Sequence, residues 1–188
     1  RRYKNQLRSS LLFFEKGEKI FSGFIDKNRL VPIGEKQPKI FNLYKGLSLI
    51  GGVQPGTKSR YLELKNLPNF AVAICYEISD SLKIKDAVHN GGELILAIAN
   101  LDPYPQKIHD QFISMASMRS IENNRDSIIA SNTGPSGLIR SDGRIDSLIA
   151  SNVEENIIVY PNLKSQNSFY TKFGIQIFSV IFILLIIL

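Results

Sequence analysis

Two segments of this chain, Phe70–Ile74 (FAVAI) and Leu94–Ala99 (LILAIA), carry an apolar side chain at every position. A strand with one wet face alternates polar and apolar residues, so a run without alternation must be covered on both faces. Between the two segments Ser79, Asp80 and Ser81 offer helix N-caps. Leu82, Ile84, Ala87 and Val88 then fall at helical spacing, and Gly91-Gly92 stops the pattern. Strand, helix and strand within about thirty residues make a βαβ unit, with parallel strands and a right-handed crossover. This unit requires an α/β domain with both sheet faces covered.

The remaining elements follow from shorter signals. Residues 10–14 (SLLFF) and 19–25 (KIFSGFI), joined by Glu15-Lys16-Gly17-Glu18, read as a hairpin. The Pro- and Gly-punctuated stretch 26–34 is a loop, residues 36–60 read as loops and short strands, and 61–64 as a short strand. Residues 106–124 are the longest helix candidate, with Ile108, Phe112, Met115, Met118 or Arg119, and Ile121 or Glu122 at spacings of three and four, and both methionines assigned to the core. Strands are expected at 126–131, 137–140, 144–150 and 156–160, with Ser141-Asp142-Gly143 as the turn between the second and third. A chain of 188 residues suits one such domain of mixed strand order.

Charge and composition exclude several functions. Lysine and arginine number 23 against 17 acidic residues, a net +6, but the surplus is diffuse. Its only dense cluster, Arg1, Arg2, Lys4 and Arg8, has no aromatic-interleaved stripe. It reads as a solvated face or a contact with anionic headgroups, and no nucleic-acid partner is expected. A single cysteine excludes an internal disulfide and a multi-thiolate metal cage. His89 and His109 are too far apart to suggest zinc and are read as surface residues of helices. No metal and no cofactor is expected.

Residues 173–188 (FGIQIFSVIFILLIIL) contain no charge. As a helix they would extend roughly 24 Å, slightly short of a ~30 Å hydrocarbon core. Lys164 and Lys172 precede them, as interfacial anchors do. The expectation is a linker and the start of a transmembrane helix over 166–188, following a catalytic domain over 1–165; a buried terminal element is the other reading. With Arg1 in first place and no charged-then-apolar leader after it, the chain reads as a piece of a larger protein.

One residue sits where chemistry is easiest. Cys75 directly follows the buried strand and precedes a helix. A nucleophile on such a bend projects above the sheet edge, where backbone N–H groups can stabilise an oxyanion and a helix N-terminus favours the thiolate. Tyr76 and Glu77 place polar groups just beyond an apolar strand, where packing has no need of them. Lys27 ends the second hairpin strand, and Glu35 lies past Pro32 and Gly34. A lysine beside a thiolate stabilises that anion, and a carboxylate keeps the lysine charged and oriented. Buried inert cysteine and surface Lys and Glu are the alternative readings of the same residues.

Asp26-Lys27-Asn28-Arg29-Leu30-Val31-Pro32-Ile33-Gly34-Glu35 resembles the lysine-bearing segment of the nitrilase-like carbon–nitrogen hydrolases, and Ala73-Ile74-Cys75-Tyr76-Glu77-Ile78 resembles their nucleophile motif. Arg119-Ser120-Ile121-Glu122-Asn123-Asn124-Arg125 and Ser131-Asn132-Thr133-Gly134 are similar to the downstream course of the same domain. The form of the two motifs is most like the membrane branch, the apolipoprotein N-acyltransferases. The resemblance implies a four-layer αββα sandwich, with Cys75 as nucleophile, Lys27 as triad lysine and Glu35 as supporting carboxylate. It also implies that Tyr76 and Glu77 shape substrate binding. The implied activity moves an acyl chain from a phospholipid donor through a cysteine thioester to the N-terminal amine of a lipoprotein acceptor. The implied place is the bacterial inner membrane, with the domain on the periplasmic side.

Two departures accompany the resemblance. The upstream glutamate that acts as general base in the family is unmatched, which implies little turnover by these residues alone. The loop Leu101-Asp102-Pro103-Tyr104-Pro105 replaces a Trp-bearing one, with Tyr104 as the nearest aromatic. A soluble nitrilase-type amidase and a non-catalytic membrane-tethered domain are the alternatives.

Overall fold

Four short strands open the chain. β1 (Arg2–Tyr3) pairs with β2 (Gln6–Leu7), and β3 (Ser10–Phe13) with β4 (Gly23–Asp26), both antiparallel. The structure is a computed structural model that describes residues 1–4, 6–32, 35, 53–176, 182, 185 and 186. The six strands that follow are β5 (Tyr61–Leu62), β6 (Phe70–Ile74), β7 (Leu94–Ala99), β8 (Ser127–Ser131), β9 (Ser136–Ile139) and β10 (Ile145–Ile149). They form one sheet in the order β10-β9-β8-β7-β6-β5. The expected parallel pair is at its centre, with Phe70 opposite Leu94 and Ile74 opposite Ile98, and β8 extends it in parallel. β5, β9 and β10 join antiparallel.

The unbroken apolar runs are buried as their composition requires. From β6 and β7, Ala71, Ala73, Ile95 and Ala97 point to one face, where they meet α1 (Ser81–His89) and α2 (Gln106–Asn123) through Ile84, Val88, Phe112 and Ala116. Alternate residues Phe70, Val72, Ile74 and Leu94 point to the other face and meet Ile25 of β4, with Leu11 and Phe13 of β3 packed against them. Each fully buried Ile or Leu here contributes about 1.5–3 kcal/mol. Among the described residues this makes three layers: helices, the six-stranded sheet, and the hairpin.

Helix ends follow local chemistry. The Asp80 carboxylate accepts a hydrogen bond from the Lys83 N–H at 3.2 Å and caps α1. Asn124, in the left-handed region at φ 52°, ends α2.

Several expectations are corrected. Met118 is 53% exposed, because the buried face of α2 runs through Phe112, Ala116, Arg119, Ser120 and Asn123, and its last turns bury polar groups that an apolar count overlooks. His109 is buried: its Nε2 donates to the Leu101 carbonyl at 3.0 Å and its Nδ1 meets Ser151 Oγ at 3.0 Å. Residues 156–160 have strand composition but join no ladder, and Ile158 is 81% exposed. Beside this segment the polar backbone groups take side-chain partners instead, the Tyr160 carbonyl from Arg140 and the Asn162 N–H toward Asp126.

Of the helix expected to run on from Phe173, Gln176 and the residues at 182, 185 and 186 are helical among the described residues. α3 (Phe169–Phe173) ends at Gly174 (φ 62°), and no described helix is long and apolar enough to cross a membrane. The apolar run beyond Gln176 lies outside the described residues except at 182, 185 and 186, as does most of the stretch 36–60 up to residue 52.

Candidate active site

β6 ends at Ile74, and Cys75 begins a tight 3-10 turn over Cys75–Ser79. Cys75 adopts φ 54°, a left-handed conformation that costs a non-glycine residue energy and persists only where the surroundings enforce it. The residue is partly buried and packs against the apolar cluster between β6 and the hairpin. Cys75 therefore occupies a strained strand-to-helix elbow at the carboxyl edge of the parallel strands, where α/β sheets bind ligands.

What enforces the elbow is Glu77, only 2% exposed. Its Oε2 accepts from the Ile74 N–H at 3.0 Å, just ahead of the cysteine. Its Oε1 accepts from the N–H groups of Asn28 (2.6 Å) and Arg29 (3.0 Å). Arg60 Nη1 donates to both oxygens, at 2.9 and 2.8 Å. With its acceptor positions engaged, Glu77 acts as an internal tie between the elbow and the lysine-bearing segment and presents no surface to a substrate. Tyr76 is 38% exposed, with the Arg29 guanidinium 4.9 Å from its ring centroid.

Lys27 follows β4 and is 2% exposed. Its ammonium donates to Glu35 Oε1 at 2.9 Å and lies 2.7 Å from Oε2. Glu35 also accepts from the Val31 N–H at 2.8 Å, so the carboxylate is fixed by its own loop. Tyr104, from the loop before α2, completes this side. Burial pushes its phenol above the ordinary tyrosine value, and the negative charges of Cys75 and Glu35 add to the effect.

A cleft of about 400 Å³ opens beside the elbow at the ends of β6, β7 and β8, lined by Ile74, Ile98, Ala99, Asn100, Ala130, Ser131 and Asn132, with Ser9 and Ser10 opposite. Its floor is apolar and its rim is polar. Asn132 donates to Asn100 Oδ1 at 2.8 Å and accepts from the Leu101 N–H at 3.0 Å, which holds the Tyr104 loop in place. Among the described residues no three His, Cys, Asp or Glu side chains are grouped as a metal ion would need.

The sequence-derived residues Lys27 and Glu35 are thus in contact, and the chain carrying Lys27 is tied to the Cys75 elbow through Glu77. Arg60, Asn132 and His109 were not foreseen in these roles. Arg60 sits in a stretch without periodicity, and a lone arginine there gives no signal of its partner.

No family model matches the chain. Its sequence is 54% identical over 175 residues to an apolipoprotein N-acyltransferase of Prochlorococcus marinus subsp. pastoris, covering 93% of this chain and 35% of that protein. It is 24% identical over 184 residues to the apolipoprotein N-acyltransferase of Thermotoga maritima, covering 96% of this chain and 36% of that one. The chain spans about a third of the length of the curated relatives it matches. Among solved structures it resembles a carbon–nitrogen hydrolase from Helicobacter pylori, with TM-score 0.62 and 13% identity over 82% of this chain and 57% of that one. It also resembles Saccharomyces cerevisiae Nit3, of the nitrilase superfamily, with TM-score 0.57 and 17% identity over 80% and 52% of the two chains. By sequence the chain is a relative of the apolipoprotein N-acyltransferases, carried on a nitrilase-like α/β fold.

Proposed function

We propose that these residues form the thiol half of an acyl-transfer site that moves a fatty acyl chain from a phospholipid to the N-terminal amine of a diacylglyceryl-modified lipoprotein. The observation that carries this reading is the strained, partly exposed Cys75 on its elbow, tied through Glu77 to the segment bearing Lys27. The names of the sequence relatives supply the substrate class.

In the first step the Cys75 thiolate attacks the ester carbonyl of the phospholipid. A C–S bond forms, the C–O bond breaks, and the lysophospholipid alkoxide leaves, taking up the proton that the thiol gave up. In the second step the lipoprotein amine attacks the thioester carbonyl, the amide forms, the C–S bond breaks, and a proton returns to the thiol. Splitting one acyl transfer in this way replaces a hard step with two easier ones. Lys27 and the backbone N–H groups of the turn at Tyr76 stabilise the tetrahedral oxyanion in each step, and Glu35 holds the ammonium charged and aimed. The apolar floor of the cleft suits the acyl chain. A lipid donor and acceptor, together with the uncharged run 173–188, favour the inner membrane of a bacterium, with the site on the periplasmic side.

Glu15 and Glu18 lie in the exposed hairpin turn, Glu77 is fully engaged and Glu35 serves the lysine. With none of these four free to act as base, slow turnover is the expectation for the 188 residues alone.

The test replaces the matching segment of the Prochlorococcus relative with this chain and incubates the hybrid with phospholipid vesicles. Mass spectrometry should find one hydroxylamine-labile acyl group on Cys75, absent in Cys75→Ala. A hybrid that complements loss of the relative yet never carries acyl on Cys75 would remove the thioester mechanism. Ammonia release from small amides, without lipid transfer, would favour an amidase.

A further inference from the structure

Arg60 belongs to no motif, yet its side chain is among the largest fully buried ones in the molecule. Nη2 donates to the carbonyl of Asp26 at 2.8 Å and to that of Thr57 at 2.6 Å, Nε donates to the Ser59 carbonyl at 2.8 Å, and Nη1 spans both oxygens of Glu77. Asp26 immediately precedes Lys27, and Glu77 is two residues past Cys75. One planar guanidinium therefore bonds the chain on either side of the proposed reaction centre.

Stability alone does not account for this arrangement. A buried ion pair is often no better for stability than apolar groups of the same volume. Its geometry provides something apolar packing lacks, a directional link among three separate stretches, 26–29, 57–60 and 74–77. Lysine could supply the charge but not the fork.

We propose that Arg60 is a positioning residue for the nucleophile: by gripping the Asp26 carbonyl and the Glu77 carboxylate together it sets the separation between the Lys27 ammonium and the Cys75 sulfur. This assignment rests on the reading of Cys75 and Lys27 given above. Arg60 touches no substrate and acts only through these two neighbours.

The test exploits the fact that Cys75 is the only cysteine. The rate of its alkylation by iodoacetamide, followed against pH in the 188-residue chain, reports how well the thiolate is stabilised and needs no acyl donor. Arg60→Lys keeps the charge and loses the fork. In this variant the rate–pH profile should move about one unit upward, making alkylation about tenfold slower on its rising limb while circular dichroism is unchanged. Arg60→Gln, which removes both the fork and the positive charge, should move it the same way and serves if Arg60→Lys does not fold. A folded variant with the parental profile overturns the proposal, as does failure of both variants to fold, which would make the role purely structural. Shifted profiles without any acyl adduct on the hybrid protein would remove the acyl-transfer reading and leave the Arg60 assignment standing. An adduct with unshifted profiles would do the reverse.

Discussion

The Lys27 ammonium stands 2.7 Å from one oxygen of Glu35 and 2.9 Å from the other, with the lysine 2% exposed and the glutamate 24%. A buried cation held by a half-buried carboxylate keeps its charge in place where an exposed lysine would swing in solvent. Glu35→Gln keeps the shape and removes the charge. It should slow acyl-Cys75 formation about ten- to a hundredfold, the worth of one charged hydrogen bond. Lys27→Ala should cost roughly 10²–10³. Both are read as the rate of adduct formation on the hybrid protein, and a parental rate in Glu35→Gln would contradict the orienting role.

Gly56 approaches the same strand end from the opposite side. Its N–H donates to the Lys27 carbonyl at 2.8 Å, and its carbonyl accepts from Asn28 Nδ2 at 2.9 Å. A Cβ on this residue would overlap the Asp26 Cβ and lie 2.7 Å from the Asp26 carbonyl oxygen. Backbone cannot give way as a flexible side chain can, so Gly56→Ala should cost about 1–3 kcal/mol in urea unfolding and shift the alkylation profile of Cys75 as well. Unchanged stability would show that the 53–57 segment yields freely.

Among the described residues Arg125, 1% exposed, hydrogen-bonds to neutral oxygens. It donates to the carbonyls of Gly92 (2.8 Å), Gln166 (2.7 Å), Ser165 (3.1 Å) and Asn124 (3.1 Å), and to Asn167 Oδ1 (3.1 Å). Burial pushes its guanidinium below the ordinary arginine value, and the charge of Glu93 opposes this. Ser168 adds a hydrogen bond to the Glu122 carbonyl, fastening the start of α3 to the end of α2. Arg125→Met should remove about 3 kcal/mol or more of stability and open residues 165–173 to protease, with Arg125→Lys restoring less than half. Parental protease resistance in Arg125→Met would rule out the staple.

Asp26 links β1 and β2 to the lysine strand. It accepts from Arg1 at 2.7 and 3.1 Å, from Arg8 at 3.2 Å and from Ser10 at 2.6 Å. Burial raises its carboxyl, but the hydrogen bonds from Arg1, Ser10 and Arg8 and the charge of Arg1 outweigh it and leave the group below the ordinary aspartate value of 3.8. A depressed acid stabilises the fold fully above its unfolded value and loses that contribution as pH falls through the folded one. The Tm difference between the parent and Asp26→Asn should therefore be largest near pH 7 and shrink below about pH 3.8. A difference independent of pH would mean that the charge of Asp26 is not what matters.

Much of the architecture was legible because it rests on short-range pattern. The runs FAVAI and LILAIA were recognisable as doubly covered parallel strands, and the caps and glycines between them located α1. The pairing of Lys27 with Glu35 also lay within one short stretch. Less legible were the places where polar side chains fill the interior. α2 buries Arg119, Ser120 and Asn123 and exposes Met118, so where the stripe allowed Met118 or Arg119 it is the charged residue that faces the core, and His109, read as a surface residue, holds the Leu101 carbonyl from inside.

By itself, then, the sequence determined the α/β class, the central parallel strands and the position of a lone thiol at a strand end, because alternation, capping and turn chemistry act over a few residues. Only the tertiary structure decided what Glu77 and Arg60 do. The partners that join them to other stretches lie 17 to 49 residues away along the chain, and a hydrogen bond is specified by where folding brings its donor and acceptor, which no local pattern records.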